Sequence, residues 1–237
     1  PEVETFIDEM VQKHQFQRET LRRVFGRVQP RPAVIRAITA PFTARPWYVF
    51  RERYVNAERI AAGVKFWEKH AVTVARASRE YGVPGEIIVA TIGMETLYGR
   101  HTGTFKVLEA LTMLAFQYPP RAELFRSELE EYLLLARETG MNAARATGSY
   151  AGAMGIPQFL PSSYRRFALD FDGDGKRDLW RTPADAIGSV ANYFKSYGWR
   201  VGEPIVVLAE VGETDVEDII AAGIKPHLKV VELLKQG

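Results

Sequence analysis

The chain has 237 residues, 46% of them hydrophobic and 25% charged, a balance that excludes a disordered polyelectrolyte. Its formal charge is +2, with Arg scattered among Glu, which gives no argument for nucleic acid as a partner. The absence of cysteine excludes a disulfide scaffold, a thiolate nucleophile and a Cys-ligated metal, and no apolar run reaches the roughly 18 residues that span a bilayer.

The first residue is Pro1, with no Met and no charged-then-apolar leader, so the chain reads as a processed or trimmed product. Residues 1–55, with Pro30, Pro32, Pro41 and Pro46, read as short helices and a winding connector. Ile60, Val64, Trp67, Ala71, Val74 and Ser78 recur three or four positions apart and predict one helix over 57–81, stopped by Gly82. Pro84 opens a second helix that reaches about Tyr98. An apolar segment over 107–116 is broken at Tyr118, Pro119 and Pro120. An amphipathic helix over 121–139 follows, and Gly140 ends it.

Residues 140–157 read as a Gly/Ala loop, and a short helix is expected over 162–169. After a polar Asp/Gly loop, Thr182 is expected to cap the next helix, with Pro183 in its first turn and Asp185 at its positive end. Ile187, Val190, Ala191, Phe194 and Tyr197 should form its buried stripe. Residues 204–211 are the best strand candidate, and 215–222 a short helix. The class is mainly α, with a minor α+β character.

Three segments carry chemistry. Glu95 shares a helical face with Ile88 and Ile92, and a carboxyl on an apolar face should have a raised pKa, as a general acid needs. Gly93 and Gly99 are expected to leave room for a ligand beside it. The plainer reading is a Glu at a helix end, exposed or paired with Arg100. The loop from Gly148 to Phe159 is too long to be idle in a compact domain, and Ser149 and Gln158 supply polar groups for a ligand. Asp170, Asp172 and Asp174, with Gly175 at the sharp turn and the carbonyl of Lys176, match the start of an EF-hand calcium loop. The usual twelfth-position Glu is Arg181, and Asp185 is the candidate to fill that vacancy. Of the aromatics, Tyr118, Phe159, Tyr193 and Tyr197 lie near these features. His14, His70, His101 and His227 show no metal spacing.

Several blocks in order resemble the B-type lytic murein transglycosylases of the lysozyme-like superfamily. They are Gly93-x-Glu95-Thr96-x-x-Gly99-Arg100, Tyr118-Pro-x-Arg121, Gly148-Ser149-x-Ala-Gly-Ala-Met-Gly155, Gln158-Phe159-x-Pro-Ser-Ser-Tyr164, the Asp/Gly loop, and the stretch from Asp185 to Tyr193. The resemblance runs from about Phe50 to Gly202. It implies a lysozyme-like catalytic core over 56–202, with helices around a saccharide groove and the EF-hand-like loop at 170–185. Residues 1–55 would belong to the helical domain, and 203–237 would form a small, truncated β/α segment.

It also implies an enzyme that cleaves the β-1,4 bond between N-acetylmuramic acid and N-acetylglucosamine without water, leaving a 1,6-anhydro end. Glu95 would be its single acid and base, Ser149 would hold the sugar or its N-acetyl group, and Gln158, Phe159, Tyr193, Arg121 and Tyr118 would line the groove. Asp170, Asp172, Asp174, Lys176 and Asp185 would bind a structural calcium ion, with no organic cofactor. Peptidoglycan strands are the expected partner, alongside cell-wall enzyme complexes. The protein is expected to be a periplasmic monomer, soluble or lipid-anchored. The family's downstream Tyr-Asn segment has no counterpart before Gly237. A hydrolytic muramidase and a non-catalytic peptidoglycan-binding module stay open as alternatives.

Overall fold

Apolar residues recurring every three or four positions make helices here, and helices make up nearly all the regular structure. The computed structural model describes residues 1–40, 45–208, 210–211, 215–223 and 225–235. Helices α1 (Glu2–His14), α2 (Arg18–Phe25), α3 (Pro32–Thr39) and α4 (Trp47–Tyr54) come first. Then follow α5 (Ala57–Lys69), α6 (Ala71–Tyr81) and α7 (Gly85–Thr96). A two-residue strand β1 (Phe105–Lys106) leads into α8 (Val107–Gln117), a 3-10 turn (Pro119–Arg121) and α9 (Ala122–Thr139). Strand β2 (Thr147–Gly148) pairs antiparallel with β1, placing Phe105 opposite Gly148 and Lys106 opposite Thr147. The chain continues through α10 (Pro161–Phe167), α11 (Pro183–Ser196), α12 (Glu217–Ala221) and α13 (Val230–Leu233).

The chain divides into two units, Pro1–Val201 and Gly202–Gly237. Within the first, apolar burial falls into two clusters. One gathers Phe6, Leu21 and Val34 from the N-terminal helices around Leu108, Leu111 and Leu114 of α8 and Leu129 and Tyr132 of α9. The other joins Val74 and Ala77 of α6, Ile88 and Ile92 of α7, and Ile187 and Val190 of α11. The loop between β2 and α10 is divided between them. Met154 and Phe159 belong to the first cluster and Ile156 to the second.

Several sequence expectations are corrected. The helix over 57–81 is two helices broken at His70, and its inward residues are Gly63 and Phe66 before the break and Val74 and Ala77 after it. Ile60 and Val64 point to solvent, because the ring of Tyr98 packs over Gly63 and rotates the buried face by a residue. Thr182 makes no side-chain cap hydrogen bond, and Tyr197 lies past the end of α11 and is 64% exposed. Residues 204–208 and 210–211 form no strand. Val206 and Leu208 are 85% and 99% exposed, and β-propensity without a ladder partner does not make a strand. Ala209, within that expected strand, lies outside the described residues.

Candidate active site

Helix α7 is apolar over most of its length, with Ile88 and Ile92 fully buried, and Glu95 emerges from the same line in its last turn. The helix end is fixed from three sides. Arg59 Nη1 donates to the Gly93 carbonyl at 2.9 Å, and Tyr98 Oη donates to the Arg59 carbonyl at 3.2 Å. Thr96, 1% exposed, donates from Oγ1 to the Ile156 carbonyl at 2.8 Å and accepts the Gly99 N–H at 2.9 Å. Leu97 and Tyr98 are both left-handed, at φ 51° and 61°, so the chain reverses directly after the Glu95 turn.

The room expected at Gly93 and Gly99 is filled by the protein itself. A Cβ on Gly93 would sit 2.5 Å from Tyr98 Oη, and one on Gly99 would sit 3.3 Å from the Ile156 side chain. These glycines admit neighbouring side chains, not a ligand.

Glu95 makes no hydrogen bond or ion pair among the described residues, so the expected alternative pairing with Arg100 is not formed. Its side chain reaches solvent, yet protein surrounds the carboxyl closely enough that burial raises its pKa above the ordinary 4.5. Burial is the sole cause of the shift. A second carboxylate a few ångströms away would push the pKa up further, and none does. The Tyr193 hydroxyl is also raised, first by burial, then by Tyr197, with a smaller contribution from the charge of Glu95.

The 148–159 loop is a folded ribbon. Met154 and Phe159 exchange backbone hydrogen bonds at 2.8 and 3.0 Å, and the Ser149 N–H donates to the Ala153 carbonyl at 2.8 Å. Ser149 Oγ accepts the N–H groups of Ala151 and Ala153 at 3.2 and 3.1 Å, which leaves its own proton to donate. Gln158, left-handed at φ 52°, donates from Nε2 to the carbonyls of Thr102 and Gly155, so its amide nitrogen serves the loop. Phe159 is 6% exposed, and its ring centroid lies 5.3 Å from that of half-buried Tyr193, tilted by 38°. Tyr118 and Arg121 lie at the other end of α8, with the Arg121 guanidinium 5.8 Å from the Phe125 ring. Neither bonds to Glu95, Ser149 or Gln158 among the described residues.

Asp170, Asp172 and Asp174 are exposed, and their carboxylate oxygens lie within 4.8 Å of one another. They are the one such cluster among the described residues. The loop backbone organises them: Gly173 and Asp174 donate to Asp170 Oδ1, Gly175 to Asp170 Oδ2, and Lys176 to Asp174 Oδ1. An all-oxygen set of mutually repelling carboxylates fits a hard divalent cation. Asp185 stands outside this cluster. It is 1% exposed, and its two oxygens accept the N–H groups of Phe171 at 2.7 Å and Asp178 at 2.8 Å. It ties both ends of the loop to α11.

Glu95 at the end of α7, tied through Thr96 and Ile156 to the loop that carries Ser149, sits in a mainly helical fold of the lytic transglycosylase class. The family described as the transglycosylase SLT domain matches residues 1–236. Over 248 aligned residues the chain is 44% identical to membrane-bound lytic murein transglycosylase B of Escherichia coli K12, covering 96% of this chain and 68% of that one. The crystal structure of soluble lytic transglycosylase SltB1 from Pseudomonas aeruginosa is 47% identical. It aligns over 100% of this chain and 80% of its own, with a TM-score of 0.90. The Escherichia coli lytic transglycosylase Slt35 in complex with calcium is 40% identical over 97% of this chain and 77% of its own, at a TM-score of 0.82. The chain belongs to the transglycosylase SLT domain family and is a peptidoglycan lytic transglycosylase.

The sequence reading missed the residues that hold the site together. Ile156 donates its N–H to the Leu179 carbonyl at 2.7 Å, and Trp180 Nε1 donates to the Thr147 carbonyl at 2.9 Å, joining the acidic loop to the serine loop. The first is a backbone pairing with no side-chain signature, and the second pairs an indole N–H with a carbonyl distant in sequence. Thr96 alone was visible, as a small polar residue beside Glu95 in an otherwise apolar helix. Thr96→Val keeps its shape but strands the Ile156 carbonyl and the Gly99 N–H. It should cost about 1–3 kcal/mol in denaturant unfolding and lower turnover more than that loss explains.

Proposed function

We propose that Glu95 acts first as acid and then as base in a one-carboxyl cleavage of the glycan. The protonated carboxyl donates its proton to the leaving glycosidic oxygen as the bond to the muramic anomeric carbon breaks. The substrate's N-acetyl group stabilises the cation at that carbon. The same sugar's 6-hydroxyl then attacks the anomeric carbon, and the Glu95 carboxylate takes the hydroxyl proton, which restores the acid and closes the 1,6-anhydro ring. Ser149 donates its free hydroxyl proton to the sugar at this position, and Tyr193 forms the wall beside it. Phe159 and Gln158 support that wall and loop, and Tyr118 and Arg121 serve more distant sugars.

The observation that carries this reading is that burial alone raises the Glu95 pKa. A hydrolytic mechanism uses two carboxyls at a defined separation, either as nucleophile or to activate water, and among the described residues no second carboxyl contributes to the raised pKa of Glu95. An intramolecular hydroxyl removes the need for it.

The Asp170, Asp172 and Asp174 carboxylates and the Lys176 carbonyl would hold calcium, with Asp185 shaping the loop from behind. The ion would cancel the repulsion among the three carboxylates and fix the loop whose exit carries Leu179 and Trp180. The setting proposed is the periplasm, where peptidoglycan strands are the substrate and the protein acts as a monomer, alone or within cell-wall enzyme complexes.

On purified sacculi, mass spectrometry should find anhydro ends from the wild type. Glu95→Gln should lower turnover by about 10²-fold or more while still sedimenting with the sacculi. Reducing ends in place of anhydro ends would refute the one-carboxyl mechanism. Calcium should raise the melting temperature and EDTA reverse it, while Asp172→Asn with Asp174→Asn should abolish the response. An unchanged melting temperature in the wild type would mean that the loop holds no ion.

A further inference from the structure

Away from Glu95, a second cavity of about 320 Å³ opens at the root of α8. Arg27, Lys106, Arg145 and Asn142 line it together with Leu108 and Glu109 from the first turn of α8. The charges on its walls do not cancel. The side chains of Arg27, Lys106 and Arg145 make no hydrogen bond or ion pair among the described residues. This contrasts with Arg18, Arg22, Arg126 and Arg165 of the same unit, each of which is paired with a carboxylate.

The one acidic wall residue, Glu109, is 8% exposed and already held by Arg31 Nε at 2.6 Å. Asn142 accepts the Ala144 N–H at 3.0 Å through Oδ1, which turns its amide N–H groups into donors for something else. Helix α8 has no side-chain cap, so the positive end of its dipole adds to the same field. Cations, amide donors and a helix start converge on one concavity, which suits an anion that accepts several hydrogen bonds.

Its position narrows the choice of anion. Lys106 is paired with Thr147 in the β ribbon, and Thr147 precedes Ser149 by two residues. At about 3.3 Å per strand residue the Lys106–Thr147 pair is roughly 7 Å along the chain from the serine proposed to hold the reacting sugar. A substituent hanging from that sugar spans this distance. In peptidoglycan the substituents are peptides that end in, and carry along their length, free carboxylates.

We infer that the Arg27–Lys106–Arg145 cavity is a subsite for the carboxylates of the peptides borne by the glycan. It makes the enzyme prefer peptide-bearing strands over bare ones. The inference rests on the placement of the reacting sugar at Glu95 and Ser149.

The test uses one preparation of glycan strands, half of it stripped of peptides by an amidase. The variants are Arg27→Gln with Arg145→Gln, both exposed, and Lys106→Gln separately. The wild type should show a KM lower by about tenfold or more on the peptide-bearing strands, with similar kcat on both. The double variant should lose that difference through a higher KM on peptide-bearing strands alone, at an unchanged melting temperature, and Lys106→Gln should lose part of it. Equal KM values for the wild type on the two strands would overturn the proposal, as would an equal rise on both in the variants. Inorganic phosphate that abolishes the preference at concentrations where free peptide does not would make this a phosphate site and would also overturn it. Failure of the Glu95 assignment shows separately, as retained turnover in Glu95→Gln.

Discussion

The peptide groups of Ile156 hold the active region together. The residue gives its N–H to Leu179 at the exit of the acidic loop and its carbonyl to Thr96 in the Glu95 turn. Its side chain packs in the second core cluster, while Met154 and Phe159, on either side, pack in the first. One short segment thus fixes the carboxyl-bearing helix, the serine loop and the acidic loop against both halves of the core. None of these bonds involves a charged pair, so the arrangement is held by buried backbone hydrogen bonds that are costly to leave unmade.

This scaffold explains how Glu95 stays unpaired. A carboxyl in a protein ordinarily finds a cation or an N–H group. Here Arg59 is committed to the Gly93 carbonyl and the Gly99 N–H to Thr96 within the same helix end. The carboxyl reaches solvent yet is partly desolvated. Such a group holds its proton at higher pH than a free glutamate, which is what a donor to a leaving oxygen requires. With the nucleophile supplied by the substrate, one such carboxyl is sufficient.

Much of this was legible in the sequence. The helical class, the start of α7 at Pro84, the break at Tyr118 to Pro120 and the acidic loop follow from periodicity and turn residues. Such signals are local, and the chain obeys them. Features that depend on distant partners were not legible. The rotated face of α5 goes with Tyr98 packing over Gly63, and the break at His70 left no turn residue in the sequence. The apparent strand at 204–211 had the right composition but no neighbouring strand. Asp185 has the spacing of a metal ligand, and its acceptance of the Phe171 and Asp178 N–H groups could not be read from that spacing. Gly93 and Gly99 signalled close approach correctly, but composition cannot tell a ligand from the protein's own Tyr98 and Ile156.

The account depends most on Glu95 being a desolvated carboxyl with no partner. Its pKa can be followed directly by the carboxyl carbon chemical shift in protein labelled at glutamate, with Glu95→Gln assigning the resonance. The account predicts a single titration with a midpoint above 4.5, little altered by salt, since burial and not a neighbouring charge sets it. A midpoint at or below 4.5, or a two-step curve showing coupling to a second carboxyl, would contradict it.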